Sequence, residues 1–173
     1  MNNAELIDQF AQLLGKVPSN LSVLDLACGS GRNGVWFSNN GCSVSYLDRD
    51  LSRLDLPKTT INAEQLEWDL EDGSAPPLPL QQYDIVLVFN YLHRPILPQI
   101  IDAIKPGGYI IYETFTTKQA EIGRPRNPNF LLKPGELQAI FANWNCLHYA
   151  EDLFGDLPSA SYKAQIIAQK PKV

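Results

Sequence analysis

The sequence predicts an α/β protein built on one doubly wound sheet, mostly parallel, that ends in a C-terminal antiparallel hairpin. Strand patterns and helix patterns alternate through most of the chain, and the last two patterns are both strands. A glycine-rich turn follows the first strand, as it does in many parallel sheets that bind nucleotides. The chain of 173 residues is expected to form a single domain over 1–173.

The first half of the chain predicts helices, strands and the glycine turn. Apolar residues from Leu6 to Leu14 recur at helical spacing, and Gly15 ends that helix. The elements predicted next are a strand over 22–27, a helix over 33–39, a strand over 43–48 and a brief helix after Asp50. Residues 63–69 fit a helix by propensity and a strand by alternation, and the acidic cluster at their end favours the strand.

The second half continues the alternation until the two final strands. Its predicted elements are a strand over 83–90, a helix from Pro95 through Ile104 that KPGG stops, a strand over 109–115, a helix over 133–144, and strands over 146–152 and 162–170. The run at 83–90 is apolar nearly throughout, which is typical of a strand that is buried on both faces. A turn joins the two final strands, and this predicts the antiparallel addition to the sheet.

Composition and charge limit the classes of function. The formal net charge is -5 and the isoelectric point about 5.0, so no diffuse positive field is available to attract nucleic acid. Three cysteines at long spacings predict reduced thiols, with neither a zinc site nor a disulfide, and no metal site is predicted. The N-terminal segment lacks the basic start of a signal peptide, and the longest apolar run, 85–89, is too short to span a bilayer. We therefore expect a cytoplasmic protein without membrane contact.

The stretch LACGSGRNG carries the first functional signal. Its G-x-G-x-x-G pattern at Gly29, Gly31 and Gly34 is a weak sign of dinucleotide binding by itself. Acidic residues at strand ends are more informative, because ligands bind at the carboxyl ends of the strands in such sheets. Asp48 lies 19 residues after Gly29, a spacing at which a carboxylate binds the ribose hydroxyls of NAD or of any other adenosine cofactor.

Asp25, just before the turn, distinguishes between these cofactors. A carboxylate about 5 Å from a bound pyrophosphate oxygen would repel it by roughly 3 kcal/mol at an effective dielectric constant of about 20. The same carboxylate would attract the ammonium and sulfonium groups of S-adenosylmethionine (SAM). The sequence therefore favours SAM over NAD.

Several segments together resemble a known family. VLDLACGSGRN, YLDRD, WDLED and AIKPGGYIIYE are similar, in their order and spacing, to the motifs of class I SAM-dependent methyltransferases over nearly the whole chain. The residues from NYLHRP to GRPRNPNFLLKPGEL resemble a subgroup that is distantly similar to the tellurite-resistance methyltransferases. The resemblance implies the Rossmann-like class I methyltransferase fold. The chain departs from the family pattern at Ala27, where a first glycine is usual, and at Arg32, near the third.

The resemblance also implies a SAM site. Its members would be Asp25 for the methionine ammonium, the backbone of Ala27, Gly29 and Gly31 for the amino acid part, Asp48 for the ribose, Arg49 and Leu70 beside the adenine, Asp69 for the adenine amino group, and Asn90 beside the reacting methyl group. Other interpretations stay open: Asp25 as a buried acid bonded to turn amides, Asp69 as an ordinary helix or turn acid, and Arg49 as a surface charge. Gly34 is expected to be an incidental small residue early in a helix.

Methyl transfer from a sulfonium needs little chemistry from the protein, because the donor is already activated. Alignment of the reactants supplies most of the acceleration, and a general base is needed only if the acceptor must lose a proton early. Tyr91 and His93 follow the fourth strand and are the catalytic candidates. Both have structural alternatives, since Tyr91 can simply pack and His93 can cap or pack before a helix that begins at a proline.

Four charged residues are candidates for substrate contact. Glu113 suits a substrate amine or the orientation of Arg94, and Arg124 and Arg126 lie on a proline-rich loop that suits an anionic substrate. The alternatives are a solvated loop, or a structural pair between Arg126 and Glu113 or Glu121.

The acceptor is expected to be a small molecule. The sequence lacks the NPPY-type motif of amino-methylating DNA enzymes at the fourth strand and has an acidic isoelectric point. Nucleic acid and protein acceptors stay open, and so do two other functions: a non-catalytic SAM-binding partner, and an NAD-dependent oxidoreductase. The oligomeric state is not predicted.

Overall fold

The computed structural model describes residues 2–173, which form seven strands and five helices. The strands are β1 (Ser22–Leu26), β2 (Ser43–Asp48), β3 (Ala63–Glu67), β4 (Tyr83–Phe89), β5 (Ile104–Phe115), β6 (Asn145–Phe154) and β7 (Ser161–Gln169). The helices are α1 (Glu5–Leu14), α2 (Arg32–Asn39), α3 (Leu97–Ala103), α4 (Gln119–Ile122) and α5 (Glu136–Ile140). Short 3₁₀ turns lie at Leu51–Arg53, Arg94–Ile96 and Pro128–Phe130.

All seven strands join one sheet in the order β3-β2-β1-β4-β5-β7-β6. The first five strands are parallel, whereas β7 runs antiparallel to both β5 and β6. The predicted α/β class and its C-terminal antiparallel hairpin are therefore confirmed. The chain winds outward from β1 in both directions, so the crevice between the carboxyl ends of β1 and β4 is the place where a ligand is expected.

Helices cover both faces of the sheet, each over its own apolar core. On one face, Phe10 of α1 and Phe37 of α2 pack against Val23 and other residues of the central strands. On the other face, Ile100 of α3 and Leu137 of α5 pack with a second set of strand residues. Because neighbouring residues of a buried strand point to opposite faces, both sides of β1 are apolar apart from Ser22 at its start and Asp25.

Two strands end one residue earlier than predicted, for the same reason. Ala27 and Asn90 follow β1 and β4 with φ angles of 55°, in the left-handed region that breaks the extended ladder. Both residues lie at the crevice. The segment at 63–69 is a strand, as predicted, although β3 itself ends at Glu67.

The predicted helix from Pro95 through Ile104 is wrong at both ends. The chain first makes a 3₁₀ turn, α3 then begins at Leu97, and Ile104 is already the first residue of β5. KPGG lies within β5, where it bulges out of the pairing with β4. Glycine is required there, because a Cβ on Gly108 would lie 2.7 Å from the carbonyl oxygen of Asp84.

The predicted helix over 133–144 is also too long. Only α5 is helical, and the chain then turns so that Phe141 and Trp144 pack edge to face, with ring centroids 5.0 Å apart. No pattern in the sequence predicted α4 or the 3₁₀ turn at Pro128–Phe130. Among residues 2–173, no helix is both long enough and apolar enough to cross a membrane.

Candidate active site

A cavity of about 320 Å³ lies at the carboxyl ends of β1 to β4. Six of the residues predicted to bind the cofactor line it: Ala27, Asp48, Arg49, Asp69, Leu70 and Asn90. Tyr91, a predicted catalytic residue, lines it as well. The fold thus brings residues from four separate strand ends to one place, as expected from the sequence.

Asp48 is held at this cavity by backbone amides. The Gly29 amide donates to Oδ2 of Asp48 at 2.9 Å, and the Asp50 amide donates to Oδ1 at 3.2 Å. The Cys28 amide continues the ladder by donating to the Leu47 carbonyl at 3.0 Å. The glycine turn and the end of β2 are therefore one hydrogen-bonded unit.

Asp25 lies beneath the turn and not in the cavity lining. Asp25 is only 3% exposed, and its Oδ2 accepts a hydrogen bond from the Gly34 amide at 2.9 Å. Burial raises the pKa of Asp25 to about 7, although the Gly34 amide and Arg32 oppose the shift. This contact is the alternative that the sequence left open, a buried acid bonded to a turn amide. Direct contact with a cofactor stays a prediction.

Gly34 is not incidental, and that expectation is wrong. A Cβ at Gly34 would lie 2.5 Å from Cε1 of Tyr46 and 2.8 Å from Oδ2 of Asp25. The third glycine of the pattern therefore lets α2 pack directly on β1 and β2. Gly31 is constrained too, because its φ is 78° and a Cβ there would lie 2.6 Å from Leu54.

The segment after β3 forms the opposite wall of the cavity. The Trp68 amide donates to the Asp48 carbonyl at 2.9 Å, which fixes this segment to the end of β2. Asp69 accepts from the Glu71 amide at 2.9 Å, the contact of an ordinary turn acid, and it also lines the cavity. Both interpretations of Asp69 are therefore compatible with its position.

The charge of the lining is negative. Asp48, Asp69 and Glu71 contribute three carboxylates, and Arg49 contributes the one guanidinium in the described lining. Such a lining favours a cationic ligand over a pyrophosphate.

Tyr91 and His93 are both close to Glu71. The Tyr91 hydroxyl is buried and has no hydrogen-bond partner among the described residues. Burial raises the pKa of Tyr91, and the nearby Glu71 carboxylate raises it further, so this phenol stays protonated. Nδ1 of His93 lies 3.6 Å from Oε1 of Glu71, although His93 itself does not line the cavity.

A second cavity of about 280 Å³ adjoins the first one. The two share Glu71, Asn90, Tyr91 and Phe130, and the remaining lining includes Thr114 at the end of β5. Its described lining contains no basic side chain. A molecule bound there would contact the same four residues as one bound in the first cavity.

The structure does not bring Arg94 and Glu113 to these cavities. The Glu113 carboxylate is buried, and it accepts hydrogen bonds from Lys163 Nζ at 2.8 Å and from Gln165 Nε2 at 2.7 Å. Arg94 pairs with Glu136 at 2.7 Å. Glu113 therefore does not orient Arg94, contrary to one alternative from the sequence.

Arg124 and Arg126 are exposed at the mouth of the second cavity. They line an open groove of about 610 Å³ that shares Pro125 and Phe130 with that cavity. Nε of Arg126 donates to the Gly123 carbonyl at 3.3 Å, so the predicted pairing with Glu113 or Glu121 is replaced by a local backbone contact.

The sequence predictions missed four residues of the lining: Trp68, Glu71, Leu47 and Phe130. The first two flank Asp69 in WDLED, so the position of that motif at a strand end was a usable signal. Phe130 lies in a loop far along the chain, and only its place in GRPRNPNF pointed to it.

Comparisons with known proteins show which family and fold this chain is similar to. The protein-family model described as tellurite resistance protein TehB matches residues 9–169. A probable S-adenosyl-L-methionine-dependent methyltransferase TehB of Haemophilus influenzae is 29% identical over 165 residues, which cover 90% of this chain and 56% of the relative. This chain thus spans little more than half the length of that curated relative.

Solved structures show the same fold. The crystal structure of TehB from Haemophilus influenzae matches with a TM-score of 0.75 and 22% identity, covering 96% of this chain and 61% of that one. A SAM-dependent methyltransferase from Methanosarcina mazei matches with a TM-score of 0.68 and 16% identity over 99% of both chains. A methyltransferase from Burkholderia thailandensis, solved with bound 1,6-didemethyltoxoflavin and S-adenosylhomocysteine, matches with a TM-score of 0.66 and 15% identity, covering 96% of this chain and 77% of that one.

Proposed function

The chain belongs to the TehB family, and from this premise we propose that it transfers a methyl group from SAM to a small-molecule acceptor. The observation that carries the proposal is the cavity at the switch point of the sheet, where Asp48, Asp69 and Asn90 converge from three strand ends. This arrangement suits an adenosine cofactor that lies across the ends of β1 to β4.

The charge of the cavity supports SAM over a nicotinamide dinucleotide. SAM carries a sulfonium and an ammonium, and three carboxylates against one guanidinium stabilise such a cation. A pyrophosphate in the same place would lie close to carboxylates and would be repelled. The NAD-dependent alternative is therefore disfavoured by the lining.

Each member of the proposed SAM site has a defined task. Asp48 binds the ribose hydroxyls, Asp69 accepts from the adenine amino group, and Arg49 and Leu70 lie beside the adenine. The backbone of Ala27, Gly29 and Gly31 lies along the amino acid part of SAM. Asp25 acts on the ammonium from beneath the turn, and Asn90 lies beside the reacting methyl group. Trp68 adds an aromatic wall that the sequence analysis did not include.

When bound, SAM supplies an electrophilic methyl group, and the protein supplies alignment. The second cavity is the proposed acceptor site, because it shares four lining residues with the first. Tyr91 donates a hydrogen bond to the acceptor from its buried phenol. His93 lines neither cavity, so its role as a base depends on Glu71, which lines both and lies 3.6 Å from its Nδ1. Arg124 and Arg126 at the mouth attract an anionic group of the acceptor.

Calorimetry tests the proposal. Wild-type protein is expected to bind S-adenosylhomocysteine, and NADH is expected to bind at least 100-fold more weakly. Asp48→Ala removes the carboxylate from the cavity and should weaken binding by about 10-fold or more. Asp72→Asn, which changes an exposed acid in the turn after β3 that lines neither cavity, is the matched control and should bind like the wild type.

The outcomes separate the candidate functions. A folded wild-type protein that does not bind S-adenosylhomocysteine would overturn the proposal, and tight NADH binding would favour the oxidoreductase. Binding without turnover of methyl-labelled SAM in any extract fraction would favour a non-catalytic SAM-binding partner.

A further inference from the structure

Phe130 is the one large apolar residue that lines both cavities and the open groove outside them. It is 45% exposed, whereas the next two residues, Leu131 and Leu132, are 2% and 0% exposed and belong to the core. The chain therefore buries two leucines as it enters the body of the protein and leaves the preceding phenylalanine over the cavities. An aromatic side chain in this position has apolar surface to offer a ligand.

Arg94 fixes the backbone on both sides of Phe130. Its Nη1 donates to the carbonyl of Asn129 at 3.2 Å, and its Nη2 donates to the carbonyl of Leu131 at 2.9 Å. These are the two residues adjacent to Phe130. The planar fork of a guanidinium can make both contacts at once, which a lysine ammonium cannot reproduce.

Glu136 orients Arg94 in turn. Its carboxylate accepts from Nε of Arg94 at 2.7 Å and from Nη2 at 3.0 Å, and it also accepts from the Lys133 amide at 2.7 Å. The hydrogen bonds from Arg94 hold the pKa of Glu136 below its usual range, so the pair stays charged at neutral pH. The loop after β4, which carries Tyr91, is thereby tied to the loop that carries Phe130.

We propose that Phe130 contacts the bound cofactor and acceptor, and that Arg94 and Glu136 are positioning residues that hold Phe130 over the site. This inference rests on the proposed function, because it assumes SAM in the first cavity. In this proposal Arg94 holds the backbone on both sides of Phe130, and it does not make the substrate contact expected from the sequence. The four hydrogen bonds of its guanidinium are all made within the protein.

The first measurement is the affinity for S-adenosylhomocysteine by calorimetry. Phe130→Ala removes the ring and is expected to weaken binding by roughly 5- to 10-fold, as estimated from the apolar area that a ligand would cover. Ile122→Ala is the matched control, because Ile122 is also a large exposed apolar residue but lines none of the described cavities. Its affinity should stay within about 2-fold of the wild type.

A double-mutant cycle separates positioning from a merely structural role. Arg94→Lys keeps the charge but loses the two carbonyl contacts, and it is expected to weaken binding by about 5-fold in the wild-type background. In the Phe130→Ala background the same change should have less than about a 2-fold effect, because the residue it positions is gone. Glu136→Gln should follow the same pattern with a smaller loss, which keeps the test available if Arg94→Lys does not fold.

Each result has a definite meaning. Unchanged affinity in Phe130→Ala would overturn the contact, and an equal loss from Arg94→Lys in both backgrounds would overturn the positioning role. No binding by the folded wild type would overturn the proposed function together with this inference, whereas wild-type binding with unchanged variants would overturn the inference alone.

Discussion

At the scale of single residues, Asp25 and Gly34 determine how the glycine turn is supported. The Gly34 amide donates to the buried carboxyl group of Asp25 at 2.9 Å, and the charges of Arg32 and Asp48 also act on it. One hydrogen bond does not offset the loss of water around a full negative charge, so burial dominates and the pKa of Asp25 rises to about 7. A buried Asp25 is stable without a counter-ion when its carboxyl group is protonated, whereas the ionised carboxylate needs a cation nearby to stabilise it.

The first prediction concerns the pH dependence of stability. Because the pKa of Asp25 is raised in the folded protein from 3.8 to about 7, the folded state binds this proton more tightly than the unfolded chain. The stabilisation is fully present below about pH 4 and is lost as the pH rises towards 7, by on the order of 4 kcal/mol. Urea unfolding of the wild type and of Asp25→Asn across this range measures the difference. The relative stability of the wild type should fall with rising pH, and parallel curves would contradict the prediction.

The second prediction compares two glycines of the turn. Gly34→Ala places a methyl group within 2.5 Å of the Tyr46 ring and should lower the free energy of unfolding by about 1–3 kcal/mol through overpacking. Gly29→Ala meets no atom within 4 Å, so it costs only the strain of a φ of 54°, about 1 kcal/mol. Chemical denaturation measures both. A Gly34→Ala protein as stable as the wild type would show that α2 shifts to make room.

The sequence predicted most of the residues that line the first cavity but not the contacts that hold each of them. Strand-end acids such as Asp48 and Asp69 were predictable, because their place depends only on where a strand stops. The requirement at Gly34 was not, since it arises from Tyr46 and Asp25 on two other segments that α2 touches only after folding.

At the scale of elements, Glu113 shows how the antiparallel addition is fixed to the parallel sheet. It lies on β5, and its two carboxylate oxygens bind Lys163 and Gln165 on the neighbouring β7. Gln165 also pairs with His148 of β6 at 3.2 Å, and His148 pairs with Gln9 of α1 at 2.8 Å. A half-buried polar network therefore crosses three strands and one helix, and His148 has a structural place in it.

The third prediction tests Glu113 as a structural residue. Glu113→Gln replaces one acceptor by a donor that faces Lys163 or Gln165, so it should lower the free energy of unfolding by about 1–3 kcal/mol. Thermal or urea unfolding measures this loss, and the affinity for S-adenosylhomocysteine should not change. Glu121→Gln, at an exposed acid, serves as the control and should leave stability within about 0.5 kcal/mol. A stable Glu113→Gln protein would argue against the structural role.

Strands were predicted better than helices, for a physical reason. β4 is an apolar run whose burial on both faces is evident from composition alone. The ends of α3 and α5 depend on tertiary contacts instead. β5 begins directly after α3, because the bulge at Gly108 lets its first residue pair with β4. α5 stops where Phe141 and Trp144 pack.

At the scale of the whole molecule, charge and cavity size limit the acceptor. The net charge of -5 and the carboxylates of the lining oppose a polyphosphate backbone. The second cavity, at about 280 Å³, is at the lower end of the range for small-molecule sites. The exposed Arg124 and Arg126 at its mouth are a local exception to the acidic surroundings. The sequence predicts a small-molecule acceptor from the absence of an NPPY-type motif and from the acidic charge, and the cavity limits the size of the acceptor that we propose.

The last prediction is the distribution of methyl label in a cell extract. With methyl-labelled SAM, the wild-type protein should place label in the small-molecule fraction and not in RNA or protein, because a site of this volume admits a small acceptor and the acidic surface repels phosphate chains. Asp48→Ala, which lacks a carboxylate of the proposed SAM site, should lose the labelled product, whereas Asp72→Asn should retain it. Label that depends on the wild type and appears mainly in RNA or protein would overturn the small-molecule acceptor proposed from the cavity. A macromolecule would then have to reach Tyr91 through the groove beside Phe130.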